Sequence, residues 1–226
     1  TKVIFPIYMN GRVMEINKIK QIAKKKRIFL IEDAAQAFGV KYKNKYVGTF
    51  GDAGIFSTSI TKVFTTGLGG FISTNNSKLA KIILSMRRHG FSDIQNIKNW
   101  DKYGGNFKFS DIHAAIGIAQ LKKYDRDLKN NLKNFNLFKK LLKKSSKFIY
   151  PANINPKLGD RPVYNEFLSN NRNKIVKFLK SQNVETRLYS PTFDKVRYLK
   201  IKKTKKYLAI HLVLKKKSFI YLAVQV

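Results

Sequence analysis

Two different spacings of apolar residues alternate along this chain. In residues 12 to 26, RVMEINKIKQIAKKK, Val13, Ile16, Ile19 and Ala23 recur at helical intervals while lysines fill the opposite face, which predicts an amphipathic helix. IFLIEDAA follows, and its unbroken apolar run from Ile28 to Ile31 ends in acids. That pattern predicts a buried parallel strand whose carboxyl end reaches a site. KYKNKYVGTFGDAGIFSTS reads as a turn or short hairpin around Asn44 and Gly48, then a second buried strand, AGIFST. TTGLGGFISTNN predicts a glycine-rich loop, a short strand and a turn at Asn75 and Asn76.

Ser77 is placed to cap a helix, SKLAKIILSMRRHG, that stops at Gly90. Residues 91 to 109 carry Trp100 and show no period. Ser110 or Asp111 then opens a long helix whose apolar periodicity lasts to about residue 144. Beyond Tyr150 and Pro151 the texture changes to a loop with Pro156, Gly159 and Pro162, a helix near 172 to 181 and a strand, VETRLY. Strands alternating with helices predict the α/β class with a mostly parallel sheet. The expected division is a partial large domain at 1–126, a connecting long helix at 127–150 and a partial small C-terminal domain at 151–226.

Composition narrows the classes. The 226 residues suffice for one generous domain or two small ones, and 43% hydrophobic residues argue against disorder. The chain has no cysteine, which excludes disulfides and thiolate-bound metal and fits a reducing, cytoplasmic setting. His89, His113 and His211 stand in no metal-ligand spacing. No apolar run approaches the roughly 20 residues that span a bilayer. The first residues, TKVIFPIYMN, read as the middle of a protein rather than as a signal segment. With 46 basic against 13 acidic residues the net charge is +33. This admits a polyanion-binding protein, but the lysines are dispersed and not interleaved with aromatics in one groove-sized stretch, which favours solvated faces and no specific nucleic acid.

Three pieces occur in order: IEDAAQAFG at 31 to 39, FSTSITK at 56 to 62 and GLGG at 67 to 70. Singly, each has a plain reading as a strand end, a surface lysine or a turn. Together they supply what pyridoxal phosphate (PLP) needs. Its aldehyde needs a lysine amine, its pyridine nitrogen a carboxylate, and its phosphate hydroxyls and backbone N–H groups.

PIYMNGRVMEINKI, IEDAAQAFG, VGTFGDAGIFSTSITK, TGLGGFIST, MRRHG and GGNFKFSDIHAAIGIAQL together resemble the DegT/DnrJ/EryC1/StrS family, densely over residues 3 to 126 and thinly over 162 to 200. The resemblance implies a fold-type-I PLP-dependent transferase and transamination, from an amino-acid donor such as glutamate to a keto group on a nucleotide-linked sugar. It implies that Lys62 forms the Schiff base and moves the proton, and that Asp33 pairs with the pyridine nitrogen. Gln36 would reach the ring's phenolic oxygen, Ala35 would pack on the ring face and Ser57 would bind the phosphate. Asn106 would contact the cofactor of a neighbouring subunit, implying a homodimer. His89 reads as structural at a helix end, His113 as a packing or interface residue and Arg187 as a solvated arginine. A histidine in place of the lysine would mark the family's dehydratase branch, and Lys62 argues against it.

The resemblance also implies an earlier stretch that would carry the first strands, a Gly-Thr phosphate contact and an aromatic stacked on the pyridine ring. None of these is found in the sequence. Ile60 stands where the family often has proline. From about residue 200 the sequence is expected to leave the family's pattern, as a truncated or frame-disturbed reading of a family gene would. A non-catalytic remnant of the family is therefore the main alternative, and a partial sheet with an exposed edge would be marginal.

Overall fold

Helix α1, Ile16–Lys26, buries Ile16 and Ala23 and leaves its lysines in water. Arg27 ends it in the left-handed conformation, φ 53°, and the Ile28 N–H bonds back to the Ala23 carbonyl at 2.9 Å. The chain thereby reverses directly into a strand. In this computed structural model the described residues are 1–93, 95, 100, 102–145, 148–188 and 218–222.

The first sheet has the order β1-β2-β5-β6. Strand β1, Val3–Ile4, and strand β2, Phe29–Asp33, are parallel, as are β2 and β5, Ala53–Ser57. Strand β6, Gly70–Ser73, runs antiparallel to β5. Between β2 and β5 lies a hairpin of β3, Lys41–Tyr42, and β4, Lys45–Tyr46. Its turn is Lys43–Asn44, both at positive φ, as a two-residue hairpin loop requires. Gly48 belongs to a later turn, so only the Asn44 half of the expected turn is a hairpin. Tyr8, Ile16, Leu30, Ala34, Val40, Val47 and Phe56 form the core beside this sheet.

Helix α2 spans Ser77–Arg87, and its cap is Asn76 rather than the expected Ser77. Asn76 keeps an extended backbone and its side-chain oxygen accepts from the Leu79 N–H at 3.1 Å, which leaves Ser77 as the first helical residue. Helix α3 runs Asp111–Ser145. Of its two candidate caps the structure selects Ser110, whose Oγ accepts from the His113 N–H at 3.4 Å and pairs with His113 Nδ1 at 2.6 Å.

Two compact units emerge. The first comprises residues 1–129 with 155–163, and the second 130–154 with the residues from 164 onward. The 155–163 segment, assigned by sequence to the small domain, is bonded within the first unit. Asp160 accepts from the Val13 N–H at 2.7 Å and the Asn155 N–H at 2.8 Å, and the Arg161 N–H donates to the Gly11 carbonyl at 3.0 Å.

The second unit holds an antiparallel sheet ordered β7-β8-β10-β9. Its strands are β7, Ile149–Pro151, β8, Asn165–Ser169, β9, Thr186–Leu188, and β10, Ser218–Leu222, with helix α4, Arg172–Ser181, between β8 and β9. Phe167 is buried and meets Phe138 edge-on at 5.7 Å. Most of the tail expected to leave the family's pattern, residues 200–217 and 223–226, lies outside the described residues, as does His211.

Candidate functional site

Parallel strands end on the same side of a sheet, and here the two ends carry chemistry. Asp33 closes β2 and Ser57 closes β5, with Asp33 paired to Ile55 in the register between them. The Asp33 N–H donates to the Pro6 carbonyl at 2.9 Å, and its carbonyl accepts from the Tyr8 N–H at 3.0 Å. Its Oδ1 accepts from the Ala35 N–H at 3.0 Å, while Oδ2 accepts no hydrogen bond among the described residues. One carboxylate oxygen is thus held by the turn and the other is free for a cationic partner.

Gln36 is oriented from the opposite end. Its Oε1 accepts from the Asn10 N–H at 2.9 Å, which leaves its NH2 to donate elsewhere. Asn10 can present that N–H because it sits in the left-handed region, φ 54°, in the short bend Met9–Gly11. Ala35, between Asp33 and Gln36, is half-buried.

Beyond β5 the chain forms a loop whose base is fixed by a buried pair of hydroxyls. Thr58 Oγ1 and Thr66 Oγ1 lie 2.7 Å apart, and the Thr66 N–H donates to the Thr58 carbonyl at 2.9 Å. Lys62 is half-buried within this loop, its N–H bonded to the Ser59 carbonyl at 3.0 Å. Ser57 Oγ donates only loosely to Ser59 Oγ, at 3.3 Å, so its hydroxyl is weakly committed. Two residues past Lys62, Phe64 stacks on Phe38 with ring centroids 4.4 Å apart and planes 18° from parallel. Phe38 follows Gln36 closely, so this stack ties the lysine loop to the Asp33–Gln36 segment.

The structure therefore places Asp33 and Ser57 at the carboxyl ends of the adjacent strands β2 and β5, with Ala35 and Gln36 in the turn after β2 and Lys62 in the loop after β5. Asn106 lies on a different segment. It is exposed and bridges to Arg88 at the end of α2, where the Gly105 N–H also bonds Met86 and the Phe107 N–H bonds Arg87. His89 is exposed at φ 61°, its N–H on the Gly105 carbonyl, a helix-end geometry. Arg187 is exposed. A cavity of 870 Å³, whose walls include Phe38, Tyr46, Phe71, Tyr124 and Arg161, contains none of the candidate residues.

Glu32 was not anticipated from the sequence. It is fully buried, with Oε1 accepting from the Phe50 and Gly51 N–H groups at 2.6 and 2.7 Å. Its Oε2 accepts from Tyr8 Oη at 2.5 Å and the Gly48 N–H at 2.9 Å. Burial, and then the hydrogen bond to Glu32, push the Tyr8 phenol far above its ordinary pKa. An acid inside a run ending ED reads as part of a strand terminus, and only the turn glycines at Gly48 and Gly51 hint at its partners.

The chain resembles proteins of known name in sequence and in fold. Over 141 residues the chain is 38% identical to the GDP-perosamine synthase of Escherichia coli O157:H7, covering 62% of this chain and 38% of that protein. It is 36% identical over 164 residues to the UDP-4-amino-4,6-dideoxy-N-acetyl-beta-L-altrosamine transaminase of Campylobacter jejuni, covering 65% and 43%. A crystal structure of a DegT DnrJ EryC1 StrS aminotransferase from Brucella abortus superposes with a TM-score of 0.84 at 23% identity, covering 99% of this chain and 59% of that one. The fold is accordingly the expected α/β arrangement of fold-type-I PLP-dependent transferases, in part, and the chain spans about half the length of the relatives it matches. The profile of the DegT/DnrJ/EryC1/StrS aminotransferase family matches residues 1–213, beyond the point near 200 where the sequence was expected to depart, and the chain belongs to that family.

Proposed function

We propose that the chain is part of a PLP-dependent aminotransferase that transfers an amino group, with glutamate as donor, to a keto group of a nucleotide-linked sugar. The observation that supports this reading is that the Asp33 segment and the Lys62 loop leave the carboxyl ends of two paired parallel strands and are tied by the Phe38–Phe64 stack. The residues present fit the cofactor's chemistry. PLP, when bound, supplies an electrophilic aldehyde and a ring that takes up electrons when its nitrogen is protonated.

Asp33 would hold that proton at the ring nitrogen through the oxygen its turn leaves free. Gln36, with its carbonyl end tied to Asn10, would donate from its NH2 to the phenolic oxygen. Ala35 is small enough to let a flat ring lie against the chain. Ser57 would contribute a hydroxyl to the phosphate, and Lys62 the amine that attaches the aldehyde and carries the proton between carbons. Asn106, exposed and outside the Asp33 and Lys62 segments, would suit a contact to the cofactor of a second subunit, and the proposed enzyme is a homodimer. The cytoplasm, where nucleotide sugars and PLP are available, is the proposed location. Among the described residues no helix is long and apolar enough to cross a membrane.

The test is PLP addition to the purified chain, borohydride reduction and peptide mass spectrometry, with wild type and Lys62→Ala in parallel. Labelling confined to Lys62, lost in the variant and weakened by Asp33→Ala, is expected. Labelling scattered over many lysines and indifferent to both substitutions would favour the non-catalytic remnant. The charge of +33 motivates a second reading as a polyanion binder, for which RNA affinity would be micromolar at best and fall steeply with salt.

A further inference from the structure

We infer that Glu32 is a positioning residue for Asp33, acting through Tyr8. The inference rests on the reading that Asp33 pairs with the cofactor ring. Successive strand residues face opposite sides of a sheet, so Glu32 does not share the ligand of Asp33. It instead sits fully buried with N–H and O–H donors around both oxygens. A carboxylate held this way is costly to bury and intolerant of losing one partner.

Tyr8 connects the two acids. Its phenol donates to Glu32 Oε2 at 2.5 Å, and its backbone N–H donates to the Asp33 carbonyl at 3.0 Å. Two residues on, the Asn10 N–H fixes Gln36 Oε1 at 2.9 Å. Two residues before, the Pro6 carbonyl accepts the Asp33 N–H at 2.9 Å. Residues 6–10 thus run beside residues 33–36 and set both side chains meant for the ring, and the Tyr8 ring anchored on Glu32 holds that stretch in place. Glu32 also binds the turn at Gly48, Phe50 and Gly51, so the anchor is itself braced from the turn that leads into β5. An error of a fraction of an ångström at a cofactor-pairing carboxylate is enough to matter.

Tyr8→Phe keeps the ring and removes one donor, while Glu32→Gln turns an NH2 toward backbone N–H groups. Amide hydrogen exchange needs no cofactor. Tyr8→Phe is expected to speed exchange at positions 8, 10 and 33 by about tenfold, with Phe56 and Ser57 in β5 unchanged. In PLP titrations both variants are expected to weaken binding about tenfold and to move the pH midpoint of the bound cofactor's visible absorbance in the direction that Asp33→Asn moves it. A wild-type midpoint in Tyr8→Phe would overturn the proposal, as would exchange raised only at 48–51 or uniformly along the chain. If Glu32→Gln fails to fold, Tyr8→Phe decides alone. If the wild-type chain binds no PLP, the cofactor reading fails, and exchange at positions 10 and 33 still upholds or overturns the anchor.

Discussion

A side chain at Gly54 would begin 1.9 Å from the carbonyl oxygen of Gly48. The obstacle is main chain, and Gly48 is held at φ +80° with its N–H on Glu32, so it has little room to yield. Gly54→Ala is expected to cost about 3 kcal/mol or more, at or above the upper end of what overpacking usually costs. A thermal melt of the soluble variant checks this; a melting temperature within a few degrees of wild type would show that the 48–54 turn is looser than its contacts imply.

Gln36→Glu keeps the acceptor for the Asn10 N–H but replaces the outward NH2 by an oxygen. If that end donates to the cofactor's phenolic oxygen, PLP affinity should fall by about ten- to a hundredfold, the weight of a hydrogen bond to a charged group. The melting temperature without PLP should hardly move. Equal affinities in a fluorescence titration would remove Gln36 from the site.

Tyr124 donates to the Phe38 carbonyl at 2.5 Å. Burial, aided by the negative charge of Asp125, pushes its phenol up to about 12. The folded chain therefore holds a proton that the unfolded chain releases near 10, and the stability from this group is complete below 10 and lost as pH rises toward 12. The loss is at most about 3 kcal/mol. Urea unfolding at a series of pH values should show the decline, and Tyr124→Phe should flatten it.

With a net charge of +33 the folded chain repels itself. Two ion pairs among the described residues, Lys18 with Glu15 and Arg126 with Asp127, are exposed and weak. Raising sodium chloride toward molar strength, where the screening length falls to about 3 Å, should therefore raise the melting temperature. A falling melting temperature would mean that attractive pairs outweigh the repulsion.

Strands and helices were legible where one physical signal dominated. The apolar run ending at Asp33 gave β2, the lysine-faced repeat gave α1, and the period after Ser110 gave α3 to within a residue. Asp33 and Ser57 lie at the strand ends that the apolar runs foretold, whereas the candidate role of Lys62, in the loop beyond β5, rests on the family's motifs alone. Glu32, Thr58 and Thr66 were not legible, because each acts through partners distant in sequence or through backbone groups that leave no pattern. The same reason hid the attachment of 155–163, where Asp160 bonds Val13 across 147 positions.

That attachment has a kinetic consequence. The first unit is discontinuous along the chain, so its assembly includes a loop closure spanning α3 and β7. A growing polypeptide cannot make the Asp160–Val13 bond until the ribosome has released residue 160, long after β2 and β5 are available to pair. The paired strands β2 and β5 would then exist for some time in a sheet not yet fastened by its final segment. This unit would be slow to complete during synthesis, and the exposed interval is when a chaperone would engage it.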